Sequence, residues 1–280
     1  MTRCSGDVFT TSPLNIGVES ELYTRFGEAD TKDTSIEEWF SAEIDSPARD
    51  MIEFLTNSAH VRRRNYKGDP AKAKLAKEVG YRVNSYVEYL HLPKEIRTAI
   101  SQYVSALLVR NPYYLDKLIR FHNENNNSVK NIKNIALENM LSIYGIYKPV
   151  IERATMIIIR RDGDSEFIYS DGGLSVTEPW RDRYGIPFDL HIPLTPDIAV
   201  QVLPTPFKDD LSIAHISTMT NQGVARMNKI AVGTAKRFVF TRQPPAIEFI
   251  TKNFGIPAPE NIGYRIINGK LETKYEPNRR

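Results

Sequence analysis

Cysteine is almost missing from this chain, with Cys4 the only one in 280 residues. A single thiol cannot close an intrachain disulfide, and it leaves no cysteine zinc site and no two-cysteine redox motif. A reduced, cytoplasmic setting is therefore expected. Long hydrophobic runs are missing as well. The longest strongly apolar stretch, Met156 to Ile159, is far short of the roughly 20 residues that cross a bilayer. The opening MTRCSGDVFTTSP holds no apolar segment of the secretory kind. Neither a membrane span nor a standard export signal is expected.

The familiar catalytic signatures are also missing. No G-x-x-x-x-G-K loop and no dinucleotide fingerprint occur in the sequence, and these are the patterns that cradle phosphates on backbone N–H groups. Ser170 stands in YSDGG, not in the strained G-x-S-x-G elbow of a serine hydrolase. The five histidines, His60, His91, His122, His191 and His215, include no pair at metal-ligand spacing. Asp162 and Asp164 in DGD read as a turn, with a metal role the lesser alternative. The residues assign no metal, cofactor or partner.

What is present is an ordinary globular composition, 41% hydrophobic and 25% charged, enough to bury a full core. The net charge of +3 is unevenly placed. Residues 1–60 carry 4 basic and 12 acidic side chains, 61–120 carry 13 and 5, 121–250 carry 14 and 14, and 251–280 carry 6 and 3. The first 250 residues thus sum to zero, so tight binding of duplex nucleic acid, which needs a Lys or Arg for each neutralised phosphate, is not expected. The acidic opening and the basic segment after it suit helices that neutralise one another. The alternative is a phosphate-binding face centred on Arg62, Arg63, Arg64 and Lys67.

Apolar periodicity predicts a helical first half. Ile36, Trp39, Phe40 and Ile44 start it, with Thr34 or Ser35 as cap, and Ser46-Pro47 reads as the start of a new helix. Further helices are predicted over Pro70–Leu90, Pro93–Arg110, Tyr113 to about His122 and Ser128 to about Tyr147. After Pro149 the period changes. ATMIIIRRDGDSEFIYSDG reads as two strands about a turn at Asp162–Asp164, and DLHIPLTPDIAVQVLP as another pair about Pro196-Asp197. Residues 211–235 return to helical spacing, and RFVFT reads as a last strand. The expected architecture is α+β: a helical part over about 35–148, then a mostly antiparallel or mixed sheet over about 153–242 with a packed helix, in one compact domain. Residues 243–280 read as a proline-rich appendage with a hairpin at 264–275 about Asn268-Gly269, a dipeptide suited to a type I′ turn.

The segments IGVESELYT (16–24), SIEEWFSAEI (35–44), AISQYVSALLVRNP (99–112), FIYSDGGL (167–174), IPLTPDIAVQV (192–202) and NKIAVGTAKRFVFT (228–241) fall in one order. In that order and spacing they resemble the family of domain of unknown function 4238, over roughly residues 12–243. The family's strand end reads SDNP where this chain has SDGG, and its opening H-x-x-P segment has no counterpart here. The resemblance implies roles for Glu19, Tyr23, Glu43, Arg110, Ser170, Asp171, Pro193, Thr195, Asn228 and Arg237, but no activity.

Two functional expectations follow. One is a non-catalytic binding or regulatory module in which these polar groups form a network. The other is a hydrolase-like, nucleotide- or nucleic-acid-processing enzyme, its site between the helical and sheet halves. There Asp171 and Glu43 would be the acid, base or metal ligands and Arg110 an anion clamp, with Ser170, Asn228 and Arg237 as binding residues.

Overall fold

A computed structural model of the chain describes residues 23, 25–26, 32–65, 68–110, 119, 123–124, 132–172, 175–176, 190–203, 211–236, 238–242, 247–255, 263–267 and 270–274. In chain order the elements begin with strands β1 (Arg25–Phe26) and β2 (Lys32–Asp33), then helices α1 (Ser35–Phe40) and α2 (Ser46–Thr56). Next come β3 (Val61–Asn65), α3 (Pro70–Glu78), β4 (Tyr81–Arg82), β5 (Tyr86–His91), α4 (Lys94–Val109) and α5 (Ile132–Glu152). The rest are β6 (Thr155–Asp162), β7 (Tyr169–Ser170), β8 (Ser175–Val176), β9 (Leu190–Thr195), β10 (Ile198–Leu203), β11 (Ile213–Thr220), α6 (Asn221–Gly233), β12 (Val239–Phe240), α7 (Ile247–Asn253), β13 (Gly263–Ile267) and β14 (Lys270–Lys274). The fold is α+β. No described helix is long and apolar enough to cross a membrane.

The chain divides into two units, Thr10–Phe54 with Lys94–Glu152, and the remainder. The first is helical. Ile36, Phe40 and Ile44 recur on one face, as amphipathic spacing requires, and pack with Ala106 and Val109 of α4 and with Ala136, Leu137, Met140 and Tyr144 of α5. Each of the larger ones, such as Ile36, Phe40, Leu137 and Met140, stabilises by about 1.5–3 kcal/mol. At the C-terminus of α5 the carbonyl of Glu152 lacks an intrahelical donor. Buried Arg97 supplies one, its Nη1 donating at 2.9 Å. The break expected at Ser46-Pro47 does not occur. A π-helical turn, Ser41–Asp45, joins α1 to α2, so the chain absorbs the donor missing at Pro47 by widening one turn.

The second unit is built on a mixed sheet of eight strands in the order β3-β5-β11-β6-β10-β9-β8, with β4 also on β11. Among the described strands only β6 and β11 run parallel; the other pairs are antiparallel. Helix α6 lays Val224 and Met227 against Ile159, Ala199 and Met219 on one face. Two expectations are corrected here. The helix read over Pro70–Leu90 ends at Glu78, because Gly80 takes φ 95°, a left-handed stop that favours glycine. The tyrosine- and valine-rich run after it forms β4 and β5. Likewise 211–235 is not helical throughout: Ile213–Thr220 is a central strand, and Thr220 then caps α6 with its hydroxyl. Outside the main sheet, β13 pairs antiparallel with β14. Of the helix expected over 113–122, all but residue 119 lies outside the described residues.

Candidate functional site

Three of the residues singled out in the sequence meet in the sheet unit. Asn228, on the inner face of α6, accepts from the N–H of Ile168 at 2.9 Å and donates to the carbonyl of Glu166 at 2.7 Å. It clamps the backbone that leads into β7. Buried Ser170 pairs with Val239 of β12, and Asp171 Oδ1 accepts from the N–H of Lys236 at 2.8 Å, just past the end of α6. These groups tie one strand end to one helix end. Thr195 Oγ1 accepts from the N–H groups of Asp197 and Ile198 and shapes the β9–β10 turn, beside Pro193, which stays buried in β9. Asp197 then meets Arg161 at 2.5 Å and Arg242 at 3.2 Å. The hydrogen bond from Arg161 chiefly holds the Asp197 carboxyl below the usual range. Arg237 and Glu19 lie outside the described residues.

In the helical unit, Tyr23 donates its hydroxyl to the carbonyl of Arg110 at 2.7 Å. The Arg110 guanidinium stands 4.6 Å over the Phe40 ring and 5.5 Å over that of Tyr23, and its Nη1 reaches Asp45 at 3.1 Å. Cation–π contact and an ion pair together fix it. Glu43 is exposed on the π-helical turn. Its field, after burial, helps push the Tyr144 phenol up to about 12. Asp171 and Arg110 thus each have partners within their own unit.

The sequence did not point to the cavity of the sheet unit. Strand β11 pairs with β5 at Ile213–Ile216 and with β4 at Thr218–Met219. Between the two, the chain at 83–85 leaves the sheet beside Ser217. A pocket of ≈ 510 Å³ opens there, lined by Ala73 and Ala76 of α3, by the 83–87 segment, and by Ile157, Gln201 and Ser217 of three strands. Its corner is rigid. Thr220 donates to the Gly80 carbonyl through both N–H and hydroxyl, and a methyl group on Gly80 would come within 2.5 Å of the Gly223 backbone. Tyr81 donates to Gln201 Oε1 at 3.1 Å across the pocket wall. The rim is charged: Arg82 meets Asp162 at 2.7 Å, and Arg63 meets Glu88 at 2.7 Å while covering the Tyr86 ring at 5.0 Å.

A family model described as protein of unknown function (DUF4238) matches residues 1–244. The chain belongs to that family. No curated protein and no solved structure matches it.

In this DUF4238 chain, register makes an ordered row of residues that are scattered in sequence. Ser175 pairs with His191, His191 with Gln201, Gln201 with Ile157, Ile157 with His215, His215 with Tyr89, and Tyr89 with Arg62. Paired residues share a face, so one polar row crosses the sheet and passes the pocket at Gln201 and Ile157. Three strand steps separate His191 from His215, roughly 14 Å at about 4.8 Å each, so the two cannot share an ion. Among the described residues no three His, Cys, Asp or Glu side chains are grouped as metal ligands. Reading 70–90 as one helix hid Tyr81 and its neighbours. Gly80 followed by YRVNSYVEYLH, rich in β-branched and aromatic residues, was the available signal.

Proposed function

We propose that this DUF4238 chain is a ligand-binding module whose site is the pocket between α3 and the sheet. One observation carries the reading. Apolar walls from Val87, Ile157, Ala73 and Ala76 enclose the hydroxyl and amide groups of Tyr81, Gln201 and Ser217, the mixture by which small-molecule sites bury a ligand body and fix its orientation. The walls come from five strands and a helix, so the shape is held without a ligand. Ser170, Asp171 and Asn228 enter this reading as positioning residues that hold α6 against the sheet.

A cytoplasmic setting suits the single cysteine. Tight duplex nucleic-acid binding is not expected of residues 1–250, whose charges cancel.

The test is a thermal-shift screen of a metabolite library on the wild-type chain and on Ala76→Trp, which fills the pocket. A ligand at a hundredfold its dissociation constant stabilises by about 2.7 kcal/mol, roughly 5 °C in Tm. Hits should raise the wild-type Tm and leave A76W unmoved. Equal shifts in both proteins would place binding elsewhere.

A further inference from the structure

We infer that the ligand is an organic phosphomonoester whose phosphate is held by Arg64, with Arg62 beside it; this rests on the pocket reading above. Among the described residues strand β3 is the edge of the sheet and pairs only with β5. In that pairing Arg64 stands opposite Val87, a pocket wall, and Arg62 opposite Tyr89. The two arginines therefore project from the same face, roughly 7 Å apart along the strand. That is the face on which Ile157 and Gln201 line the pocket. Arg63 alternates to the other side of the strand and is neutralised by Glu88, the rim residue it meets at 2.7 Å.

The three arginines differ in what already occupies them. Arg62 Nη1 donates to the carbonyls of Ala59 and Val61 at 3.1 and 3.3 Å, which positions its guanidinium while leaving other N–H groups unused. Among the described residues the exposed Arg64 has no ion pair. Two acids of the rim are paired, Glu88 with Arg63 and Asp162 with Arg82, while Asp69 caps the start of α3 at the N–H of Ala71 and keeps its charge. Arg64 thus brings a charge with no ion-pair partner among the described residues to the strand position opposite the wall residue Val87. A guanidinium fork matches phosphate oxygens two at a time. The pocket would take the organic part and the strand edge the phosphate. A strand edge is often charged simply to block edge-to-edge pairing, but such a role requires no pocket wall beside the arginine.

The experiment is isothermal titration of matched pairs: nucleoside monophosphates with their nucleosides, and sugar phosphates with their sugars. At least one phosphate should bind about tenfold or more tightly than its partner, and the difference should shrink as salt rises. Arg64→Ala should erase that preference and Arg64→Lys restore part of it, with binding of the phosphate-free partner unchanged. Circular dichroism of both variants checks the fold. Equal binding of both members of every pair, or a preference that survives R64A, would overturn the inference. The outcome is separable from the pocket reading. If library hits still discriminate wild type from A76W while no phosphate binds preferentially, only the phosphate assignment falls; if no ligand discriminates the two proteins, both fall.

Discussion

Asn228 places two hydrogen bonds on the backbone at 166–168 from a buried position, and removing its amide takes the partner from a buried N–H and from a half-buried carbonyl. Each unsatisfied group costs about 1–3 kcal/mol. Asn228→Ala should therefore lower Tm by several degrees in calorimetry, and Asn228→Asp, which keeps the acceptor but not the donor, should fall between. Tyr144 makes a second prediction, on pH. Burial first and the Glu43 carboxylate second raise its phenol from 10.0 to about 12. No hydrogen bond of good geometry reaches the hydroxyl among the described residues, so the opposing pull of Gln102 is the weakest of the three. A raised folded pKa means that stability is fully present below pH 10 and is lost as pH rises through 12. Tyr144→Phe should flatten the alkaline limb of a stability profile measured by urea unfolding and leave the neutral region nearly unchanged. The sequence singled out Asn228 and Tyr23 but not what they hold, because a clamp on a distant backbone leaves no local pattern.

Two elements that share helix-like spacing show where the sequence was and was not legible. In β11 and α6 the apolar residues Ile213, Ile216, Met219, Val224, Met227 and Ile230 fall three or more apart, which reads as helical throughout, as one helix or as two divided near Gly223. The first part is a strand because β6 and β5 pair with its backbone on both sides, a tertiary decision that spacing alone does not contain. The β9–β10 hairpin, by contrast, was legible, since Thr195-Pro196-Asp197 closes its own turn through the threonine hydroxyl. At the corner between α3 and β4 the backbone of Gly80 touches that of Gly223 with φ 95°. Gly80→Ala would add strain and a clash together. It should destabilise by about 2 kcal/mol or more and loosen the pocket, which hydrogen exchange at 81–87 would register as lost protection.

For the whole molecule, the α+β class was readable from composition and period, and the order of segments only roughly, since β3, β4 and β5 lie within the part expected to be helical. The cavity was not, since it exists only where β11 passes from one antiparallel partner to another and the chain between them steps out of the sheet. The charge blocks were legible as sums but not as faces. Strand register separates Arg62 and Arg64 from Arg63: the first two stand on the face of Ile157 and Gln201, and Arg63 is held by Glu88 on the rim. The central claim is that this pocket is where a ligand binds. Chemical-shift mapping tests it most directly, with a library hit titrated into ¹⁵N-labelled protein. The account predicts that the largest shifts cluster at Tyr81–Val87, Gln201 and Ile216–Thr218 and vanish in A76W. Shifts concentrated on the helical unit around Tyr23 and Arg110, with the pocket amides unmoved, would contradict it.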